Sequence, residues 1–271
     1  MNLKKVIYIA GVARSGTSWL GQVFNSSPDV TFRFQPLFAY EFKNAVNEDS
    51  SAADFSQLFE QMALNDSSFL VQEDKVLSGT YPDFEKNSTN SILAFKENRY
   101  QSVIEPMMRK VPYLYGVGLI RHPCAVISSW MRNEKEFPKG ADIEKEWRFG
   151  NCKNQGNEDY FGFYKWKEVA NLYLDLAEKY PNRFIVQYYE GLLVDTSNKM
   201  QDLFKFVGLP WQSNTRDFVV ESGASHSDDY YSVYKNPVLL ASQPWREHLP
   251  AHIVDEIYAD LKGTRLARFL E

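Results

Sequence analysis

Apolar positions in this chain follow two rhythms that alternate from one end to the other. Short runs of β-branched and aromatic residues predict buried strands at Val6–Ala10, Val30–Phe34, Ser91–Phe95, Leu114–Ile120 and Phe184–Gln187. Between them, apolar residues three and four apart predict helices over Thr17–Asn25, Ala52–Leu64, Tyr100–Arg109, Gly162–Lys179 and Thr196–Val207, with a terminal helix over Pro250–Phe269. The punctuation agrees. Pro123 opens a helix running to about Glu134, Pro112 stops the helix ahead of it, and Gly208 with Pro210 closes the one ending at Val207. Asn65–Asn90 is rich in Ser, Asp and Asn and reads as loop, and Ser213–Pro244 reads as irregular. Strands alternating with helices predict an α/β fold, a parallel β-sheet flanked by helices with right-handed crossovers. No linker-like stretch, repeat or low-complexity tract divides the chain, so one domain is expected over residues 1–271.

Composition changes this picture little. Of the 271 residues, 44% are hydrophobic and 24% charged, enough to bury a large core. A net charge of -5 speaks against a nucleic-acid binder and leaves room for a local basic pocket. Two cysteines, Cys124 and Cys152, exclude a disulfide framework and a cysteine-rich zinc cluster. The first apolar run is too short for a signal peptide or a membrane span and leads directly into a glycine loop. No membrane span and a cytoplasmic location are the expectations.

That loop, GVARSGTSWL from Gly11 to Leu20, has the frame of a phosphate-binding P-loop with Thr17 where the lysine of a Walker motif stands. A strand–loop–helix turn aims backbone amides and the positive helix end at one spot. Gly11 and Gly16 permit the close approach. Ser15, Thr17 and Ser18 add hydroxyls, and Arg14 adds a planar cation suited to phosphate or sulfate oxygens. The plainer reading is a turn that only joins strand to helix. A magnesium-dependent NTPase also needs a carboxylate at another strand tip, yet LYGVGLI ends in Arg121 and FIVQ is followed by Tyr188, Tyr189 and Glu190. Arg121 stands where open α/β sheets bind ligands, with Ser129 two turns along the next helix. An arginine and a serine so placed are suited to gripping one phosphate.

RSGTSW and RHPCAVISS, in this order, resemble the paired signatures of sulfotransferases that use 3′-phosphoadenosine 5′-phosphosulfate. YYEGL followed by LFKFVGLP resembles the cytosolic branch, whereas FNSSPDV and PWREHL are closer to the carbohydrate and bacterial branch. The resemblance implies a P-loop NTPase-like sulfotransferase fold. It implies that Arg14, Ser15, Gly16, Thr17 and Ser18 cradle the 5′-phosphosulfate, that Arg121 and Ser129 hold the 3′-phosphate, and that Tyr189 lies on the adenine side. Trp19 matches a ring that stacks on adenine, or is a core tryptophan. Lys235 matches a late basic element near the 3′-phosphate, and Trp245 and Arg246 are structural. The implied reaction passes a sulfuryl group to a hydroxyl or amine of a small molecule or carbohydrate, with no metal required, leaving 3′-phosphoadenosine 5′-phosphate. Arg14 would stabilise charge on the leaving phosphate.

The base departs from the pattern. Gln35 stands where the carbohydrate and tyrosyl-protein branches place a glutamate, and Asn98 where the cytosolic branch places a histidine. Glu97, Glu41 and His122 remain, and Glu97, at a strand tip beside Lys96, is the expected base. His226, His248 and His252 fall in no motif and are expected in solvent. Ala45–Asn90 and Asp142–Tyr160 match nothing in the family and are expected on the acceptor side. Two other readings stay open: a P-loop kinase or NTPase without the lysine, and a nucleotide-binding relative that has lost catalysis.

Overall fold

The five apolar runs form one parallel sheet in the order β2-β3-β1-β4-β5, with β1 Lys5–Ala10, β2 Val30–Phe34, β3 Ile92–Glu97, β4 Leu114–Ile120 and β5 Phe184–Tyr188. A computed structural model describes residues 3–227, 232–234 and 236–271. Its helices are α1 Thr17–Asn25, α2 Ala52–Leu64, α3 Ser68–Val71, α4 Glu73–Leu77, α5 Ile104–Lys110, α6 Pro123–Met131, α7 Ile143–Phe149, α8 Phe163–Lys179, α9 Tyr189–Val194, α10 Thr196–Phe206, α11 Ser213–Ala224, α12 Pro237–Ala241, α13 Trp245–His248 and α14 Ala251–Leu261.

The period-two pattern of β1 places its residues in two separate cores. Val6, Tyr8 and Ala10 pack with the layer that includes α2, α5, α8 and α14, while Ile7 and Ile9 pack with α1, α10 and α11. From β1 the chain crosses to one side to form β2 and β3, then passes over β1 to form β4 on the other side. The loops leaving β1 and β4 therefore diverge, and the crevice at their carboxyl ends is the topological switch point of the sheet.

Several boundaries differ from the sequence reading for physical reasons. β3 runs on through Lys96 and Glu97 because its ladder with β1 continues to the pair Ala10 and Glu97, although the apolar pattern stops at Phe95. The helix expected over Tyr100–Arg109 is a 3₁₀ turn, Gln101–Val103, followed by α5, which keeps Pro106 in a first turn where no amide is needed. Gly263, at φ 75°, splits the terminal helix into α14 and a 3₁₀ turn, Arg265–Leu270. The segment expected to be irregular holds α11. Its buried face carries Thr215 and Ser222 beside Phe218 and Val219, so no apolar spacing announces it. Short helices α3 and α4 likewise interrupt the expected loop after Asn65.

Candidate active site

The crevice is a cavity of about 800 Å³, walled by the β1 and β4 loops, the chain after β2 and β3, and residues of α3, α6, α9, α11 and α12. The Gly11–Gly16 turn forms its floor. Arg14 at φ 73° and Gly16 at φ 91° bend the chain back on itself, and a Cβ on Gly16 would stand 2.5 Å from the Tyr189 ring. A Cβ on Gly11 would meet Thr17 Cγ2 at 2.6 Å and the Leu119 carbonyl at 3.1 Å. Gly16 caps α1 with no side chain bonded to its first turn among the described residues, a helix end ready for an anion.

The two arginines expected to act apart are joined. Arg14 Nε donates to Ser129 Oγ at 3.2 Å, and Arg121 Nη1 donates to the Arg14 carbonyl at 3.0 Å. The Arg121 guanidinium lies 4.8 Å from the Tyr189 ring centroid, a cation–π contact, and its Nε has no hydrogen-bond partner among the described residues. Glu190 stands 4.0 Å from that Nε and accepts the His122 amide through both oxygens, which fixes the tip of β4.

Arg14, Gly16, Thr17, Ser18, Trp19, Arg121, Ser129 and Tyr189 all line the cavity. Ser15 does not. It is wholly buried behind the loop, and its hydroxyl has no hydrogen-bond partner among the described residues. Trp19 is half-buried: it packs against the core on the α1 side, lines the cavity, and donates from Nε1 to Ser222 on α11 at 3.0 Å. Lys235 lies outside the described residues. Trp245 is buried against the His122 ring at 4.8 Å and also touches the cavity, while Arg246 is exposed.

Glu97, the carboxylate expected to take the acceptor proton, is corrected by its surroundings. It is fully buried and does not line the cavity. Oε1 accepts the amides of Asn98 and Arg99 at 3.0 and 3.1 Å, and Oε2 accepts that of Leu37 at 3.1 Å. Burial nevertheless pushes its carboxyl up to about 7. Its neighbours on the strand point the other way, as the pleat requires. Lys96 lines the cavity with its ammonium 4.5 Å from the Phe34 ring centroid, and burial pushes it down to about 8. The Asn98 amide is satisfied when Nδ2 donates to the Gly11 carbonyl at 3.2 Å and to Thr17 Oγ1 at 2.8 Å while Oδ1 accepts from Lys96 at 3.1 Å. Asn98 thus braces the loop and leaves the Thr17 hydroxyl proton free to donate. Gln35 reaches the cavity from a left-handed turn at φ 43°, its amide on the Lys96 carbonyl at 2.7 Å.

His122 is buried, caps α6 through Nδ1 and contacts Tyr258 through Nε2, and burial pushes it down to about 4. It does not line the cavity. Glu41 is exposed and outside the lining as well. His248 and His252 are exposed, and exposed His226 sits at the cavity rim.

Both unmatched segments reach the cavity, Phe69, Gln72, Lys75 and Tyr81 from one and Lys153, Asp159 and Tyr160 from the other. Phe69 packs between Phe34 and Phe38 at 5.8 and 5.9 Å, and Arg99 lies 4.8 Å from the Phe38 ring centroid while pairing with Asp159 at 2.5 Å. No motif marks these residues or Glu136, which also lines the cavity and sits in the charged stretch NEKEFPKG.

A parallel sheet, a glycine turn at its switch point and an arginine at the next strand tip make up a P-loop NTPase-like fold. The chain belongs to the sulfotransferase family, whose model matches residues 6–213. It is 20% identical to carbohydrate sulfotransferase 3 of Tetronarce californica, an alignment covering 94% of this chain and 70% of that protein. In fold it resembles mouse sulfotransferase SULT7A1 complexed with PAP, with a TM-score of 0.55, 14% identity and coverage of 98% and 88% of the two chains. It also resembles sulfotransferase STF9 from Mycobacterium avium, with a TM-score of 0.51, 13% identity and coverage of 98% and 78%. Among the described residues no helix is long and apolar enough to cross a membrane.

Proposed function

We propose that this chain transfers the sulfuryl group of 3′-phosphoadenosine 5′-phosphosulfate to a hydroxyl or amine of a small-molecule or carbohydrate acceptor. The observation that carries the reading is the joining of the two anion grips across one cavity: Arg14 to Ser129, and Arg121 to the Arg14 backbone. Two such grips held at a fixed separation suit a nucleotide with phosphates on both its 5′ and 3′ positions. The chain's residues fit that group. Gly16 lets the Tyr189 ring pack against the turn, Arg14, Thr17 and Ser18 line the cavity beside it, and Arg121 Nε has no hydrogen-bond partner among the described residues. The cavity of about 800 Å³ lies in the range of small-molecule sites, about 300–1,000 Å³. The relative solved with PAP supports the same ligand class.

In this reading the amides at the start of α1, with Arg14 and the Thr17 and Ser18 hydroxyls, hold the 5′ side and stabilise the charge that grows on the leaving phosphate. Arg121 and Ser129 hold the 3′-phosphate, Trp19 and Tyr189 flank the base, and Gln35 and Lys96 face the sulfate end. Lys235 would add a further cation on the 3′ side. Calorimetry with 3′-phosphoadenosine 5′-phosphate tests it. Saturable binding is expected, weakened about thirtyfold by Arg121→Ala, which removes a charged hydrogen bond of about 2 kcal/mol. Adenosine 5′-phosphosulfate, lacking the 3′-phosphate, should lose far less. No binding of the bisphosphate at millimolar concentration overturns the reading, and binding that requires magnesium and prefers ATP points to a kinase or NTPase instead.

A further inference from the structure

Sulfuryl transfer to an un-ionised acceptor needs a group to receive the acceptor's proton, and the geometry points to Glu136 as that general base, a role resting on the transfer reaction proposed above. Among the described residues, four carboxylates lie at or beside the crevice, and three are occupied. Glu97 is held by three amides, and Asp159 accepts the amides of Gln155 and Gly156 while pairing with Arg99. Glu190 accepts the His122 amide through both oxygens. Glu136 alone of these has a buried oxygen, Oε2, without a hydrogen-bond partner among the described residues, and it lines the cavity. An unsatisfied buried carboxylate oxygen is costly and rare, and in a cavity wall it marks a place where a ligand completes the bonding.

The fold holds Glu136 firmly from both sides. Trp130 Nε1 donates to its carbonyl at 3.2 Å, its amide donates to the Asn133 carbonyl at 2.9 Å, and the next residue, Phe137, is buried edge-on against Trp130 at 5.1 Å. The same helix, α6, carries Ser129 near its end and the Glu136 turn just beyond it. Trp130, on α6 next to Ser129, thus ties that helix to the turn carrying the proposed base. Glu136 also stands close enough to Lys96 to favour its protonated form, and Lys96 in turn lies within the field of Arg14. Glu136, Lys96, Gln35 and Asn98 all line this one cavity.

The step balances without a further reactant. As the acceptor oxygen bonds to sulfur, the bond from sulfur to the bridging oxygen of the 5′-phosphate breaks. Its electron pair leaves with 3′-phosphoadenosine 5′-phosphate, and the acceptor proton passes to Oε2 of Glu136. A positioned base of this kind is worth about 10²–10⁴ in rate.

The test uses the full chain and two acceptors of opposite need. Water, read as sulfate released from the phosphosulfate donor, must lose a proton, whereas 4-nitrophenol above its pKa is already ionised. Glu136→Gln keeps the side-chain volume, so the thermal midpoint and the affinity for 3′-phosphoadenosine 5′-phosphate should match the native chain. Release to water should fall at least about a hundredfold, transfer to nitrophenolate should change by no more than a few-fold, and Glu136→Asp should recover part of the water reaction. Equal losses with both acceptors, or none with water, overturn the role of Glu136 while the transfer reaction stands. A native chain that binds the bisphosphate but transfers to neither acceptor overturns both readings together.

Discussion

At one end of the cavity, Arg14, Gly16, Arg121, Ser129 and Tyr189 come from three turns in which a strand runs straight into a helix. At the other end, Phe38, Phe69, Arg99, Glu136 and Asp159 come from α3 and four separate loops. The first group is tied residue to residue across the sheet, Arg14 to Ser129 and Arg121 to Arg14. The second is joined by one ion pair, Arg99 to Asp159, and by ring contacts of Phe38 with Arg99 and Phe69, with Glu136 held by the turn that follows α6. In the proposed reading, two phosphates at a fixed spacing call for rigid, local elements, whereas an acceptor site is suited to connections that vary without disturbing the sheet.

The comparison breaks most sharply at Gly16. Gly16→Val puts a β-branched residue at φ 91° and drives its Cβ toward a ring 2.5 Å away, the Tyr189 ring that lies against Arg121. Strain and displacement act on both phosphate grips at once. Affinity for 3′-phosphoadenosine 5′-phosphate should fall by about a hundredfold or more, measured by calorimetry. If affinity holds within a few-fold, the phosphate end is not the rigid template described here.

Glu97 sharpens the comparison from below, because it supports both ends without touching the cavity. Its carboxylate joins the turn after β2, through the Leu37 amide, to the turn after β3, through Asn98 and Arg99. Glu97→Ala leaves those amides short of partners and should lower unfolding stability by about 3 kcal/mol, read from urea unfolding. Glu97→Gln, which retains one acceptor oxygen, should lose less. A variant with native stability and no turnover would restore Glu97 as the base.

What the sequence disclosed follows the same division. Thr17–Asn25, Val30–Phe34 and Leu114–Ile120 form as their apolar spacing predicts, and the loop between β1 and α1 is legible because its glycines, hydroxyls and arginine are neighbours in sequence. The proposed base was not legible. Glu97 looked available because a strand tip usually opens to solvent, and only the packing of the Leu37 turn across it shows its oxygens taken. Glu136 belongs to no motif and is one of several charges in NEKEFPKG. What brings it to the cavity is Trp130 and Phe137 anchoring the turn on either side, a tertiary contact with no sequence signature of its own.

Lys96 stands where the two ends meet, and its titration offers the finest test of how they are joined. Burial outweighs its neighbouring carboxylates and holds it at about 8 against an ordinary value of 10.5. Below about 8 it is a cation facing the sulfate end; above, it is neutral. The bisphosphate is fully ionised above about pH 7, since its second phosphate ionisations fall near 6. Affinity measured from pH 7.5 upward should therefore fall as pH rises through about 8, by about tenfold in total. Lys96→Met should start at the lower affinity and show no such step. Stability of the unliganded chain should move the opposite way. Between about 8 and 10.5 the unfolded chain holds the Lys96 proton that the folded chain has lost, so this residue's contribution to stability rises with pH in that window. Affinity that is flat across pH 8 would mean that Lys96 answers to the acceptor end alone. A step of the expected sign would make it the one cation read by both.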